Sequence, residues 1–237
     1  MGVVSALKDE AKQFERKLRA ADIHRDTVKI VQTGLGEQRV LAQLNENFRQ
    51  PPQAIIVFGT AGAVAPHLDA GDLVLYDKLV DAGDGEFAIS EDLQRFLREL
   101  LAELNPRVGK GLTVSNAVCS VDEKRSIYAR EDCLCVDMES TTVARWASEH
   151  QLPFACVRVI VDGPQQAVPS AALNGMKPNG TSDAVATCFA LLRRPKQLPE
   201  IIRLGKNYSK ALRTLASAAS LIVKSLQAPD AKFYFNH

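Results

Sequence analysis

Apolar positions along the chain switch between two spacings. Short β-branched runs without helical period fall at 2–6, 28–33, 54–58, 72–80, 111–115, 134–136 and 154–161. Between them lie segments whose apolar residues recur every three to four positions, predicting helices over 7–20, 38–49, 91–104, 122–129, 138–150 and 182–192, with one or two more after 198. In the first of these, Leu7, Ala11, Phe14 and Leu18 fall at i, i+4, i+7 and i+11, with Ser5 available as a cap. Strand and helix alternating in this way predict an α/β fold: a three-layer sandwich with helices on both faces of a central mixed, largely parallel sheet. No repeat, low-complexity block or linker interrupts the pattern, so one domain over 1–237 is expected. The Pro/Gly-rich stretch 163–180 is the one long irregular segment.

In open α/β sheets ligands collect at the carboxyl ends of strands, and three predicted strand ends carry acids. Glu10 borders the apolar stripe of the first helix; alone, it reads as an acid complementing the helix dipole. Glu139 is harder to dismiss, because Glu139, Val143, Trp146 and His150 share one helical face. A carboxylate heading an apolar stripe needs a partner, and its two oxygens suit the vicinal hydroxyls of a sugar. The third is Asp162, which closes the run FACVRVIVD before Gly163-Pro164. It is a turn residue or, in an apolar pocket, a general acid. Arg158 inside the same run also needs a partner, and Glu139 is the carboxylate expected to supply it. The small residues 59–63 let a ligand approach the backbone.

Composition removes several classes of function. With 24% charged residues and a net charge of +1, binding nucleic acid through bulk charge is not expected. The balance hides a segment from Arg193 to Lys224 holding eight basic residues and one acid, a local charge of about +7. Five cysteines, an odd number, point to free thiols and a reducing, cytoplasmic setting, and no spacing predicts a metal site. Neither a signal peptide nor a membrane span is expected. TGLGEQR begins like a dinucleotide fingerprint, but Arg39 stands where the third glycine belongs, so no nicotinamide cofactor is expected.

SALKDE, GTAGAVAPHLDAGDLVL, VDMES and VRVIVD, in this order, resemble the nucleoside phosphorylase and nucleosidase superfamily, above all its methylthioadenosine/S-adenosylhomocysteine nucleosidase branch. Residues 152–212 further resemble the carboxyl-terminal part of the hopanoid-associated phosphorylases, which act on adenosylhopane. The resemblance implies that Glu10 activates water and that Asp162 protonates or hydrogen-bonds purine N7. Met138 would pack beneath the ribose and Glu139 take its 2′ and 3′ hydroxyls. Thr60, Ala61 and Gly62 would line the sugar site, and Asn116, Val118 and Cys119 the base pocket. Two positions depart from the family: Val161 stands where serine often precedes the aspartate, and Val118 where the nucleosidases carry a stacking aromatic.

The resulting expectation is an N-glycosidase releasing adenine from a nucleoside, with adenosylhopane the leading substrate and a homodimer the implied assembly. No Gly-Asp-Pro-x-Arg phosphate loop is present, which favours hydrolysis, with phosphate as the alternative co-substrate. The alternatives are a methylthioadenosine-type nucleosidase, a phosphate-dependent phosphorylase, or a nucleoside- or lipid-binding module without catalysis. Arg203, Lys206, Lys210 and Arg213 share a helical face, either a solvated side or a peripheral contact with anionic lipid.

Overall fold

The computed structural model describes residues 1–23, 27–83, 85–169, 172, 179–181 and 197–227. The helix expected at 182–192, together with Cys188, Arg193, Arg194 and Lys196, lies outside them. The strands are β1 (Gly2–Ser5), β2 (Lys29–Gln32), β3 (Ile55–Ala63), β4 (Leu73–Asp81), β5 (Glu86–Phe87), β6 (Arg107–Thr113), β7 (Cys135–Asp137) and β8 (Phe154–Asp162). The helices are α1 (Lys8–Ala20), α2 (Glu37–Asn47), α3 (Glu91–Leu100), α4 (Val121–Glu131), α5 (Ser140–Glu149) and α6 (Leu198–Ser225). All strands belong to one eight-stranded sheet in the order β2-β1-β3-β7-β6-β4-β5, with β8 bridging β3 and β4. Pairing is parallel except for β3 with β7, β4 with β5 and β4 with β8. Strands β3, β8, β4, β6 and β7 therefore close a ring, which the alternation of elements alone does not reveal.

Successive residues of the central strands point to opposite faces, as the pleat requires. Val3, Ile56, Phe58, Val157 and Val159 pack with Phe14 and Leu18 of α1, Leu97 of α3 and Leu215, Ala219 and Ile222 of α6. Val4, Ile55, Val57, Cys156 and Ile160 pack on the other face with Leu44 of α2 and Val143 and Trp146 of α5. This is the expected layering. A third cluster unites Leu112, Val118, Ile127, Cys133 and Val136.

Several boundaries differ from expectation where hydrogen bonding decides them. β3 runs on to Ala63 because its small residues pair with β8 and β7. Ser5 does not cap α1: its hydroxyl donates to the Phe58 carbonyl at 2.7 Å, and the cap position is Leu7. α5 starts at Ser140, which leaves Met138 and Glu139 in the turn between β7 and the helix. α3 ends at Leu100 and is followed by a single 3-10 turn, Ala102–Leu104.

Candidate active site

Glu10 and Asp162 are brought to the same strand, β3, from segments far apart in the sequence. Glu10 sits in the first turn of α1 yet is only 2% exposed, so it is more than a dipole-complementing surface acid. Its Oε1 accepts from the Thr60 amide at 2.8 Å and the Thr60 hydroxyl at 2.7 Å, and its Oε2 accepts from the Leu7 amide at 3.0 Å. Burial pushes its carboxyl up, against the pull of these donors and of Arg158. Gly59 makes the approach feasible: a Cβ there would lie 2.9 Å from both Glu10 Oε2 and an Arg158 guanidinium nitrogen.

Arg158, 1% exposed, does not pair with Glu139 as the sequence suggested. Its Nη2 donates to the Ser140 hydroxyl at 2.6 Å and stands 3.3 Å from the Asp137 carboxylate. Asp137 is the hub that sequence reasoning missed. It accepts from Tyr76 Oη, Thr113 Oγ1, Ser140 Oγ and the amides of Glu139 and Ser140. Desolvation pushes its carboxyl up, but Arg158 and the Ser140 donors outweigh it and hold Asp137 below the usual range. The sequence signal was an acid closing β7 one residue before Met138.

Glu139 is left without the guanidinium. It is 7% exposed and its Oε1 is buried with no hydrogen-bond partner. Burial pushes its carboxyl up to about 8, helped by the negative charges of Asp137 and Glu10 and opposed by Arg158. A buried acceptor with no donor against it is costly. Met138, beside it, is half-buried.

Asp162, at the end of β8, is 5% exposed and lies against Gly62, where a Cβ would come within 3.1 Å of Oδ2. Its partner is Lys124 of α4, wholly buried, whose ammonium donates to Asp162 Oδ2 and to the carbonyls of Gly163 and Gln166. Burial raises the Asp162 carboxyl and Lys124 opposes the rise. Lys124 was also missed in the sequence, although it shares a helical face with Ile127 and Tyr128, an unusual place for a lysine. The Cys119 thiol is pushed up by burial and then by the charges of Glu123 and Asp162, and its carbonyl accepts from the Val168 amide at 2.9 Å. Val118 lies in the third apolar cluster and Asn116 in the exposed turn after β6. Ala61 is buried and Thr60 half-buried, both on β3 between the two acids. Burial and then the charges of Glu10 and Asp9 raise the phenol of Tyr208 on α6. Arg203, Lys206, Lys210 and Arg213 are exposed, as is the large apolar Ile202 beside them. Among the described residues no helix is long and apolar enough to cross a membrane.

Comparison with known proteins shows the family and the fold. The phosphorylase superfamily profile matches residues 8–194. A 5′-methylthioadenosine/S-adenosylhomocysteine nucleosidase from Thermotoga maritima is 33% identical over 119 residues, covering 46% of this chain and 53% of that protein. The chain thus matches about half the length of this relative. A nucleosidase of the same description from Haemophilus influenzae is 27% identical over 175 residues, 63% of this chain and 72% of the other. Among solved structures, futalosine hydrolase of Helicobacter pylori superposes with a TM-score of 0.69 at 15% identity, over 94% of this chain and 96% of the other. The nucleosidase from Neisseria meningitidis in complex with methylthio-immucillin-A gives 0.70, also at 15% identity, over 94% and 98%. These likenesses establish the fold, and the relatives and neighbours are nucleosidases, enzymes that cleave N-glycosidic bonds.

Proposed function

The chain belongs to the phosphorylase superfamily, and from that premise we propose that it is a nucleosidase that releases adenine from a nucleoside by hydrolysis. The observation that carries the reading is the pair of buried carboxyls flanking one strand end, Glu10 on Gly59 and Thr60 and Asp162 on Gly62. Two to three residues of extended chain separate these contacts, about 7–10 Å. That span leaves room for a ribose with water on one side and the base on the other. Breaking the bond leaves positive charge on the sugar and negative charge on the base. Glu10 takes the proton of the attacking water, Asp162 gives one to the base, and the unpaired oxygen of Glu139 receives the ribose hydroxyls, with Met138 beneath the ring.

Hydrolysis is preferred over phosphorolysis because, among the described residues, the two buried cations of the site each stand against a carboxylate, Arg158 on Asp137 and Lys124 on Asp162, and only Arg158 Nε keeps a donor without a partner. A phosphate co-substrate needs uncommitted cations or amides. The finer reading is adenosylhopane converted to ribosylhopane and adenine. It is supported by the resemblance of residues 152–212 and by Arg203, Lys206, Lys210 and Arg213, whose exposure beside Ile202 suits an anionic lipid surface. Vesicle binding should be lost when all four are changed to glutamine, and unchanged binding would sink that part. The implied homodimer is checked by sedimentation.

The deciding assay follows adenine release from adenosylhopane in detergent and from 5′-methylthioadenosine, with and without phosphate. Phosphate-independent release supports hydrolysis, and preference for the hopanoid supports the finer reading. Release only with phosphate would replace water as the nucleophile, and release from neither would bring a nucleoside-binding module to the front.

A further inference from the structure

Lys124 is the buried charge that the proposed chemistry leaves unused. Its side chain is fully buried and its three N–H groups are all spent, on Asp162 Oδ2, the Gly163 carbonyl at 2.8 Å and the Gln166 carbonyl at 2.9 Å. It has no donor left for a substrate. Its reach across 38 residues of sequence and three successive acceptors ties α4 to the end of β8 and to the loop that follows. The Gln166 side chain in that loop accepts from Asn207 of α6 at 2.8 Å through Oε1, while its buried Nε2 has no partner. Among the described residues no hydrogen bond reaches Asp162 Oδ1. Gly62 lets the carboxylate lie flat against β3.

We propose that Lys124 is a positioning residue for departure of the base: it anchors Asp162 by Oδ2, leaves Oδ1 to face the base, and stabilises the carboxylate that remains once the proton has gone. The inference rests on the nucleosidase reading above. In balanced form, the C1′–N9 electron pair moves onto the base as the proton on Asp162 Oδ1 passes to it. Water adds to C1′ and loses its proton to Glu10. Asp162 ends as an anion beside the Lys124 ammonium, through the Oδ2 contact already present in the structure. A cation fixed in place before the reaction needs no reorganisation as charge develops, which is where such groups contribute most. Glu123 and the Cys119 thiol are the other titratable groups near this pair.

The role separates from mere support of the fold by changing the leaving group. Lys124→Met and Asp162→Asn are compared on two substrates. One is whichever of adenosine, 5′-methylthioadenosine and adenosylhopane the wild type cleaves fastest. The other is 4-nitrophenyl β-D-ribofuranoside, whose leaving group departs without a proton. Both variants should lose about 100-fold in kcat on the adenine nucleoside, the scale of general acid catalysis, with KM within a few-fold. Both should stay within about threefold of wild type on the nitrophenyl riboside. Equal losses on the two substrates, or none on either, would overturn the inference. Should Lys124→Met alone fold poorly, the Lys124→Met/Asp162→Asn double variant decides: activity equal to Asp162→Asn alone supports action through Asp162, and multiplying losses refute it. A wild type that frees adenine from none of the three nucleosides overturns the nucleosidase reading itself, and this inference with it.

Discussion

Glu139→Gln should make the protein more stable and less active, with the gain in stability appearing only as pH rises. In the folded chain the Glu139 carboxyl titrates near 8, because burial and the charges of Asp137 and Glu10 outweigh Arg158. Unfolded, it titrates near its ordinary value of 4.5. Between these limits the folded state holds a proton that the unfolded state has released, so stability falls as pH rises through the window. At about 1.4 kcal/mol per pH unit, the penalty is about 1 kcal/mol at pH 5 and about 4 kcal/mol at pH 8. Glutamine does not titrate and keeps the volume. Its own cost, an amide N–H at the position where Oε1 now has no partner, is about 1–3 kcal/mol and the same at every pH. The difference between pH 8 and pH 5 is therefore the clean quantity, about 3 kcal/mol in favour of the variant. For a chain of this size that is a shift of about 6–12 °C in Tm relative to wild type. Denaturant unfolding of both proteins at half-unit intervals from pH 5 to 8 measures it. Stability curves that run parallel across the window would mean that Glu139 is already ionised at pH 5 and would refute the account of its burial. Adenine release by the same variant should drop, since the oxygen that meets the ribose hydroxyls is gone.

Glu10→Gln should leave the fold intact and reduce adenine release by about 100- to 10,000-fold, because the amide cannot take a proton from water; activity within threefold of wild type in a base-release assay would exclude Glu10 as the base. Gly59→Ala places a Cβ 2.9 Å from Glu10 Oε2 and Arg158, an overpacking expected to cost about 1–3 kcal/mol, read from the shift in unfolding midpoint. Asp162→Ala strands the Lys124 ammonium in a buried position and should destabilise by about 3–5 kcal/mol. Adding Lys124→Met should recover much of that loss, and a double variant no more stable than Asp162→Ala would deny that the unpaired charge was the cause.

The layers were legible in the sequence because the central strands, apolar on both faces, are short continuous β-branched runs, whereas the helices repeat their apolar residues every three to four positions. Phe14 and Leu18 of α1 and Val143 and Trp146 of α5 went where their spacing put them. The ring of β3, β8, β4, β6 and β7 was not legible, since pairing partners depend on contacts between distant segments. The same limit explains the site. Glu10 could be flagged as an acid at a strand end, but its burial follows from Gly59 and Thr60, about fifty positions away in the chain. Lys124 and Asp162 look like a helix-surface lysine and a turn aspartate until the fold brings them together.

The mistaken pairing of Arg158 with Glu139 is the instructive case. Spacing correctly required a carboxylate for a buried guanidinium, and two acids two residues apart could supply it. The turn between β7 and α5 settles the choice. Asp137, still on the strand, faces Tyr76, Thr113 and Arg158, while the amides of Glu139 and Ser140 fold back onto its Oδ1. With five hydrogen-bond donors and a cation gathered on Asp137, Glu139 Oε1 keeps no hydrogen-bond partner and feels Arg158 only through its charge. The division of labour follows from charge. A guanidinium shared with Glu139 would satisfy the carboxylate and weaken its hold on sugar hydroxyls, whereas a guanidinium kept by Asp137 leaves Glu139 under-solvated and ready to accept. Asp137→Asn should therefore release Arg158 toward Glu139, bring the Glu139 carboxyl back toward its ordinary range, and raise KM more than it lowers kcat. Nucleoside titration of that variant against wild type, with Glu139 followed by carboxyl-carbon NMR, tests it; an unmoved Glu139 titration would show that Asp137 does not hold the cation away.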